Sequence, residues 1–173
     1  MTVFANIIRP YNASYLTIEN ASTGMPLAIN VISSNTRTSI GLSNKLTLFS
    51  GSFTKLRNDT VLRATSTVFG AGYYSGNCGV GLVLDFGTAN ERWDYGMAYQ
   101  YDGQWSSSQQ TTMVFGQCQW TGVSSGSHTI SFGFNTADGG GGNRPFNILN
   151  PNSSDDPRNN QMVSRIVVYE VYP

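Results

Sequence analysis

A single histidine, His128, limits the chemistry that this chain of 173 residues can perform. Metal centres built on imidazole generally use two or three histidines. Residues 126–134 alternate between apolar and polar, and His128 falls on the apolar side of that strand with Ile130. We therefore expect a buried, hydrogen-bonded histidine. Cys118 could pair with His128 as a nucleophile, but no third group is evident to orient the imidazole, so we predict no catalytic residue.

Two carboxylates beside a tryptophan are the next candidates for chemistry. Glu91 and Asp94 flank Trp93, and glycosidases need two carboxylates placed across a bound sugar. The favoured interpretation is simpler: a polar loop-like stretch with one salt bridge, to Arg92 or Arg63. The sequence therefore predicts no enzymatic activity at this position.

Two segments resemble ligand loops only superficially. Residues 150–156 offer oxygen ligands for calcium but lack the regular spacing and the glycine of a calcium-binding loop. The glycines between residues 70 and 81 are not followed by the Lys-Ser/Thr pair of a phosphate-binding loop, nor by a helix. We predict an ordinary asparagine-rich loop in the first case, tight turns in the second, and neither a metal nor a cofactor.

Aromatic side chains are the best candidates for binding, because they stack on sugar rings and are enriched at protein interfaces. They are dense in the middle of the chain, and Trp105 lies in a turn-like segment. A glycine- and asparagine-rich excursion over residues 139–160 adds charged groups. The candidate surface or ligand-contact residues are Trp93, Tyr101, Trp105, Arg144, Asp155 and Asp156.

Composition excludes several classes of partner. Charged residues make up 12% of the chain and the net charge is zero, whereas a typical globular protein has about 25% charged residues. No basic field is available for nucleic acid or for an anionic membrane. No apolar run approaches the roughly 18 residues of a membrane span, and we expect no signal peptide at residues 1–6. Whether Cys78 and Cys118 pair is left open.

Strand patterns dominate the organisation of the chain. Residues 80–86, 111–115, 126–134 and 164–171 are β-like, glycine and polar clusters separate the runs, and helical periodicity is missing. These features predict an all-β, antiparallel sandwich. We assign residues 1–44 to an N-terminal, β-containing arm for docking or assembly, and residues 45–173 to the main domain.

The order of four stretches resembles a known family. Residues 52–65, 79–85, 126–132 and 164–171 are similar to the strands of the trimeric jelly-roll knobs of tailed-phage virion proteins, which are related to the complement-globular-head and tumour-necrosis-factor fold. The resemblance covers about two-thirds of the chain. It implies an antiparallel jelly roll, a homotrimer and a place on the outer surface of a virion made in the host cytoplasm. It supplies no catalytic residue.

Three functions follow from this resemblance as expectations. The first is a capsid decoration or cement protein on a phage head, with the arm docking on the major capsid protein or another virion protein. The second is the receptor-binding tip of a head or tail fibre that binds a host-surface glycan. The third is a free carbohydrate-binding lectin module. No shaft-like repeat is visible, and if Met1 is the natural start, only about 45 residues precede the predicted knob, which favours the decoration protein. If the sequence is a fragment of a longer chain, the order reverses and the receptor-binding tip is favoured.

Overall fold

A computed structural model describes residues 8–10, 15–18, 26–72, 79–95, 97–98, 111–135, 146–154 and 161–173. These residues form thirteen β-strands. Among them, no helix has the length and apolar composition to cross a lipid bilayer. The strands are β1 (Ile8–Pro10), β2 (Tyr15–Ile18), β3 (Pro26–Ser34), β4 (Thr38–Ser39), β5 (Lys45–Lys55), β6 (Val61–Ala71), β7 (Gly79–Leu84), β8 (Arg92–Asp94), β9 (Met97–Ala98), β10 (Thr111–Trp120), β11 (Gly126–Asn135), β12 (Ile148–Leu149) and β13 (Ser164–Val171).

Two antiparallel sheets form a sandwich with jelly-roll topology. The larger sheet has the order β1-β2-β3-β13-β6-β10-β9, and β12 joins it by pairing with β4 and β6. The smaller sheet has the order β5-β11-β7-β8. Successive long strands alternate between the sheets, and β13 returns to lie beside β3, which is the double Greek-key arrangement of a jelly roll. The prediction of an antiparallel jelly-roll sandwich is confirmed.

Strand alternation places the core between the two sheets. In β11, Ile130, Phe132 and Phe134 are fully buried, and in β13 the same holds for Ile166 and Val168. These side chains meet across the sandwich, as successive residues of a strand point to opposite faces.

The strand β3 belongs to the larger sheet. β3 pairs with β13 along its length, Val31 lying opposite Val167. Beyond it, Ile40 is 3% exposed and belongs to the core cluster. β3 and β4, which lie in the segment assigned to the arm from sequence, are therefore strands of the larger sheet, and the boundary at residue 44 stays a prediction. Their partners lie far away in the sequence, and local patterns do not reveal such pairing.

A glycine–aromatic contact joins β6 to the segment before β12. Phe146 is 1% exposed, and its ring lies where a Cβ atom on Gly70 would be. Leu149 of β12 pairs with Gly70. Any side chain at position 70 would therefore displace Phe146 from the core, which explains the glycine in an otherwise regular strand.

Candidate functional site

Trp93 lies in an aromatic cluster on the outer face of the smaller sheet. Its ring stacks on that of Tyr95, with 5.4 Å between the ring centroids and an interplanar angle of 12°. It meets the ring of Phe86 edge-on, with 6.1 Å between the centroids. The ammonium group of Lys45 lies over both rings, 5.7 Å from the centroid of Trp93 and 5.2 Å from that of Phe86. A Cβ on Gly133 would come within 3.1 Å of the indole, so glycine leaves room for the ring against β11.

Hydrogen bonds hold this aromatic cluster in place. The indole N–H of Trp93 donates to Glu91 at 2.6 Å, and Lys45 forms a salt bridge with the same carboxylate. The hydrogen bond from Lys45, with help from the Gly87 amide, holds the pKa of Glu91 below its usual range. At Glu91 the salt-bridge partner is therefore Lys45 rather than Arg92 or Arg63. Tyr95, 44% exposed, is the most accessible ring of the cluster.

His128 is held between the turn after β7 and the loop before β11. Its Nδ1 lies 2.8 Å from Asp85 Oδ2, and its Nε2 lies 2.9 Å from the carbonyl oxygen of Ser124. The imidazole is 10% exposed and contacts the ring of Phe53. Each ring nitrogen thus faces an oxygen atom of the fold. The predicted buried, hydrogen-bonded histidine is confirmed.

Asp85 has an unusual backbone that its own hydrogen bonds support. Its φ is +52°, a left-handed conformation that non-glycine residues adopt rarely. Its Oδ1 accepts from the amide of Thr129 at 3.0 Å, and its carbonyl accepts from Thr88. These contacts fix the start of the turn between β7 and β8.

A cleft of about 170 Å³ opens beside this histidine. Arg92 forms part of its wall and donates to the carbonyl oxygens of Thr121 at 2.8 Å and Gly122 at 3.1 Å. In the described part of the chain, Arg92 forms no ion pair with a carboxylate. The lining residues are Leu84, Asp85, Asn90, Arg92, Gly122, Val123, Ser124 and His128.

A pair of oppositely charged side chains is buried inside the sandwich. Lys55 and Glu170 are each 1% exposed, with 3.9 Å between Nζ and Oε1. Thr60 connects them, accepting from Lys55 at 2.7 Å and donating to Glu170 at 2.6 Å. Glu170 also accepts from the amides of Leu56 and Arg57 at 2.7 and 2.9 Å. Burial lowers the pKa of Lys55, and the charge of Glu170 opposes that shift.

Asn150 is a structural hub rather than a cation ligand. It is fully buried, with φ +52°. Its Oδ1 accepts from the amide and hydroxyl of Ser164 at 3.1 and 2.5 Å, and its Nδ2 donates to Ser34 and to the carbonyl of Thr36. No group of three or more His, Cys, Asp or Glu side chains suited to a metal occurs among the described residues.

Cys118 does not pair with His128. It is a free thiol in β10, 7% exposed, whereas the ring nitrogens of His128 face Asp85 and Ser124. Burial raises the pKa of the Cys118 thiol well above its ordinary value. A thiol in this environment is a poor nucleophile, because the thiolate is the reactive form.

The outer face of the larger sheet carries exposed apolar side chains. Val31, Met113 and Phe115 are 48%, 45% and 53% exposed. Val167 lies opposite Val31, and Phe69 lies opposite Met113. We call these five residues the apolar face. Thr65 and Thr67 separate its two sides, Arg165 lies between those sides next to Thr67, and Arg63 lies at its margin.

Of the six contact residues predicted from sequence, Trp93 is described by the structure. The other five lie outside the described residues: Tyr101, Trp105, Arg144, Asp155 and Asp156. Several residues that the fold brings together, including Lys45 and Lys55, are not among the sequence-predicted site residues. They could have been singled out because they are the only two lysines in the sequence. The cleft residues Asp85, Asn90 and Ser124 had no such signal.

Comparisons with known proteins identify no family. No family model matches the chain, and no curated protein matches it. Among solved structures, one of the infectious bursal disease virus Gx strain is similar with a TM-score of 0.45 and 11% sequence identity. The similar region covers 95% of this chain and 37% of that chain, so this chain spans little more than a third of that protein's length. A similarity of this degree carries no argument about function.

Proposed function

We propose that this chain is a non-enzymatic structural protein of a virus particle, a trimeric decoration or cement protein on the outer surface of a phage head. The apolar face on the larger sheet is the observation that carries the proposal. Jelly-roll topology agrees with the resemblance seen in the sequence, but a fold alone does not define a function. The function of the chain therefore depends on what covers that face.

Other copies of the same chain are the partners that the apolar face fits. Exposed apolar side chains grouped on one face mark interaction surfaces. The chain has ten basic and ten acidic residues, so copies do not repel one another through net charge. A closed ring buries the same patch on every copy. We place the apolar face around a three-fold axis, as the resemblance implies.

The titratable groups support a structural role. His128 uses both ring nitrogens within the fold, and the thiol of Cys118 is buried. Lys55 and Glu170 are buried, and both form hydrogen bonds with the hydroxyl of Thr60. His128, Lys55 and Glu170 hold strands or turns together, which favours a scaffold over a catalyst.

Substitution of Phe115 by aspartate is expected to convert the trimer into monomers. The wild type should have a mass three times the 18.8 kDa of the chain, measured by light scattering after size exclusion at micromolar protein. The proposed trimer would bury the ring of Phe115, so a carboxylate at this position would leave an unpaired charge at the interface. Leu42→Asp, at a position 58% exposed outside the larger sheet, should remain trimeric. A monomeric wild type, or a trimeric Phe115→Asp variant, would contradict the assembly.

Electron microscopy of the particle tests the role itself. In purified virions from the virus that encodes this chain, we expect the trimer on the outside of the head, in regular contact with the shell. Anti-chain antibody labelling of intact heads provides the measurement, and heads from a deletion mutant provide the control. Labelling at fibre tips alone would favour the receptor-binding function, and absence from the particle would remove both.

A receptor-binding tip is the second candidate. The exposed ring of Tyr95 beside Trp93 favours it, because aromatic rings stack on sugars. The ammonium of Lys45 already lies over the Trp93 ring, however, which reduces the aromatic area open to a ligand. We therefore keep decoration as the first function.

A further inference from the structure

We propose that the cleft between the β7–β8 turn and the β10–β11 loop binds a sugar acid: a single hydroxylated ring that carries a carboxylate. The main contacts come from Arg92, Asn90, Ser124 and Asp85. The proposal concerns a ligand site and does not depend on trimer formation or on a place in a virion.

Arg92 provides the contact for the carboxylate. Its Nη1 and Nη2 each donate one hydrogen to a backbone carbonyl, of Thr121 and of Gly122. A guanidinium has five N–H donors in a fixed plane, so three remain for a ligand. Arg57 provides a contrast, since its guanidinium is already bound by Asp59 through two hydrogen bonds at 2.8 Å. Arg92 is oriented by neutral groups and keeps its charge for an incoming anion.

The other side chains of the cleft suit hydroxyl groups. Neither the side-chain amide of Asn90 nor the hydroxyl of Ser124 has a hydrogen-bond partner among the described residues. The carboxylate of Asp85 accepts one hydrogen bond at each oxygen and has lone pairs left for more. Leu84 and Val123, 1% and 4% exposed, add an apolar floor. Donors, acceptors and an apolar surface together match a sugar ring.

Charge and size narrow the class of ligand. The carboxylate of Asp85 faces His128, and of the charged side chains that line the cleft, Arg92 is the one without a carboxylate partner among the described residues. A neutral sugar would not use that charge, and a bare carboxylate would not use Asn90, Ser124 or Asp85. A volume of about 170 Å³ is below that of sites for drug-sized ligands, about 300–1,000 Å³, and fits one ring.

The walls of the cleft are fixed before any ligand arrives. On one side, the amide of Asp85 donates to Thr129 and the amide of Glu91 donates to Thr88. On the other, the amide of Ser125 donates to Asn58 at 2.6 Å. A pre-formed site loses little conformational entropy on binding. Because Asn90, Arg92 and Ser124 are exposed to solvent, we expect millimolar affinity.

Amide chemical shifts of the ¹⁵N-labelled full chain test the proposal. Three probes are titrated: galacturonate, galactose as the matched neutral sugar, and acetate as the bare carboxylate. We expect saturable shifts at Asn90, Arg92 and Ser124 with galacturonate, and affinities at least about tenfold lower for galactose and acetate. Equal affinity for acetate would reduce the site to a simple anion site. Equal affinity for galactose, or no saturable shift with galacturonate, would equally overturn the proposal.

Substitutions in the cleft test whether galacturonate binds there. Arg92→Gln should lower galacturonate affinity at least about tenfold. Arg63→Gln, at an exposed arginine on the larger sheet, should leave it unchanged. Because Arg92 also holds a loop, Ser124→Ala serves as a second variant that removes only an exposed hydroxyl, and a severalfold loss is expected. Unchanged binding in both Arg92→Gln and Ser124→Ala would show that the sugar acid binds elsewhere.

Discussion

Replacement of Glu170 by alanine is expected to lower the free energy of unfolding by about 3–5 kcal/mol, because it leaves a buried charge without its partner. The ammonium of Lys55 would lose the carboxylate 3.9 Å away, and Thr60 would lose its acceptor. The amides of Leu56 and Arg57 would also lose their acceptor. Urea unfolding at a fixed protein concentration measures the change, since the proposed trimer formation would make apparent stability depend on concentration.

Two controls separate charge from packing. The double variant Lys55→Met/Glu170→Leu removes both charges and should recover much of the loss, because a buried ion pair is often replaceable by apolar groups. Asp59→Ala breaks an exposed ion pair with Arg57 and should change the unfolding midpoint little. A loss below about 1 kcal/mol for Glu170→Ala would mean that water or Thr60 satisfies Lys55.

Removal of the Phe146 ring is expected to cost about 3–5 kcal/mol, the usual range for a buried phenylalanine changed to alanine. Phe146 is 1% exposed and packs on Gly70. In the converse variant, Gly70→Ala, the new methyl group would overlap the ring, and overpacking costs about 1–3 kcal/mol. Thermal and urea unfolding of each variant supply the values.

The double variant Gly70→Ala/Phe146→Ala tests whether the two positions are energetically coupled. Its new methyl group occupies space that the ring has left, so its loss should be smaller than the sum of the two single losses by about 0.5–3 kcal/mol. Gly41→Ala is the matched control, because a Cβ there meets no atom within 4 Å. Additive losses would show that Phe146 moves away from Gly70 without resistance.

Alternation predicts strands well where one face is buried. Residues 126–134 and 164–171 correspond to β11 and β13, with Ile130, Phe132 and Ile166 in the core as their parity requires. The short strand β8, residues 92–94, was interpreted as a polar loop. Three residues are too few to show a period, and Trp93 packs on the outer face instead of the core.

Pairing over long distances explains the remaining differences. Lys45 reaches Trp93 only because β5, β11, β7 and β8 lie side by side, an order that no local pattern contains. The cleft has the same origin, since the β7–β8 turn meets the β10–β11 loop through His128 and Asp85. The sequence predicts that His128 lies on the apolar face of its strand, but it does not predict the hydrogen-bond partners of the imidazole.

The central place of β13 in the larger sheet has a consequence for synthesis of the protein. Ser164 pairs with Ser34, and Ile166 pairs with Ser66, so residues 130 and 100 positions apart must meet. β6 ends at residue 71 and β13 begins at residue 164. At typical elongation rates a ribosome needs about 5–20 s to synthesise the intervening residues. During that interval β3 and β6 each have an edge that another nascent chain can pair with. The arrival of β13 therefore ends the period in which neighbouring chains on one messenger RNA can become entangled.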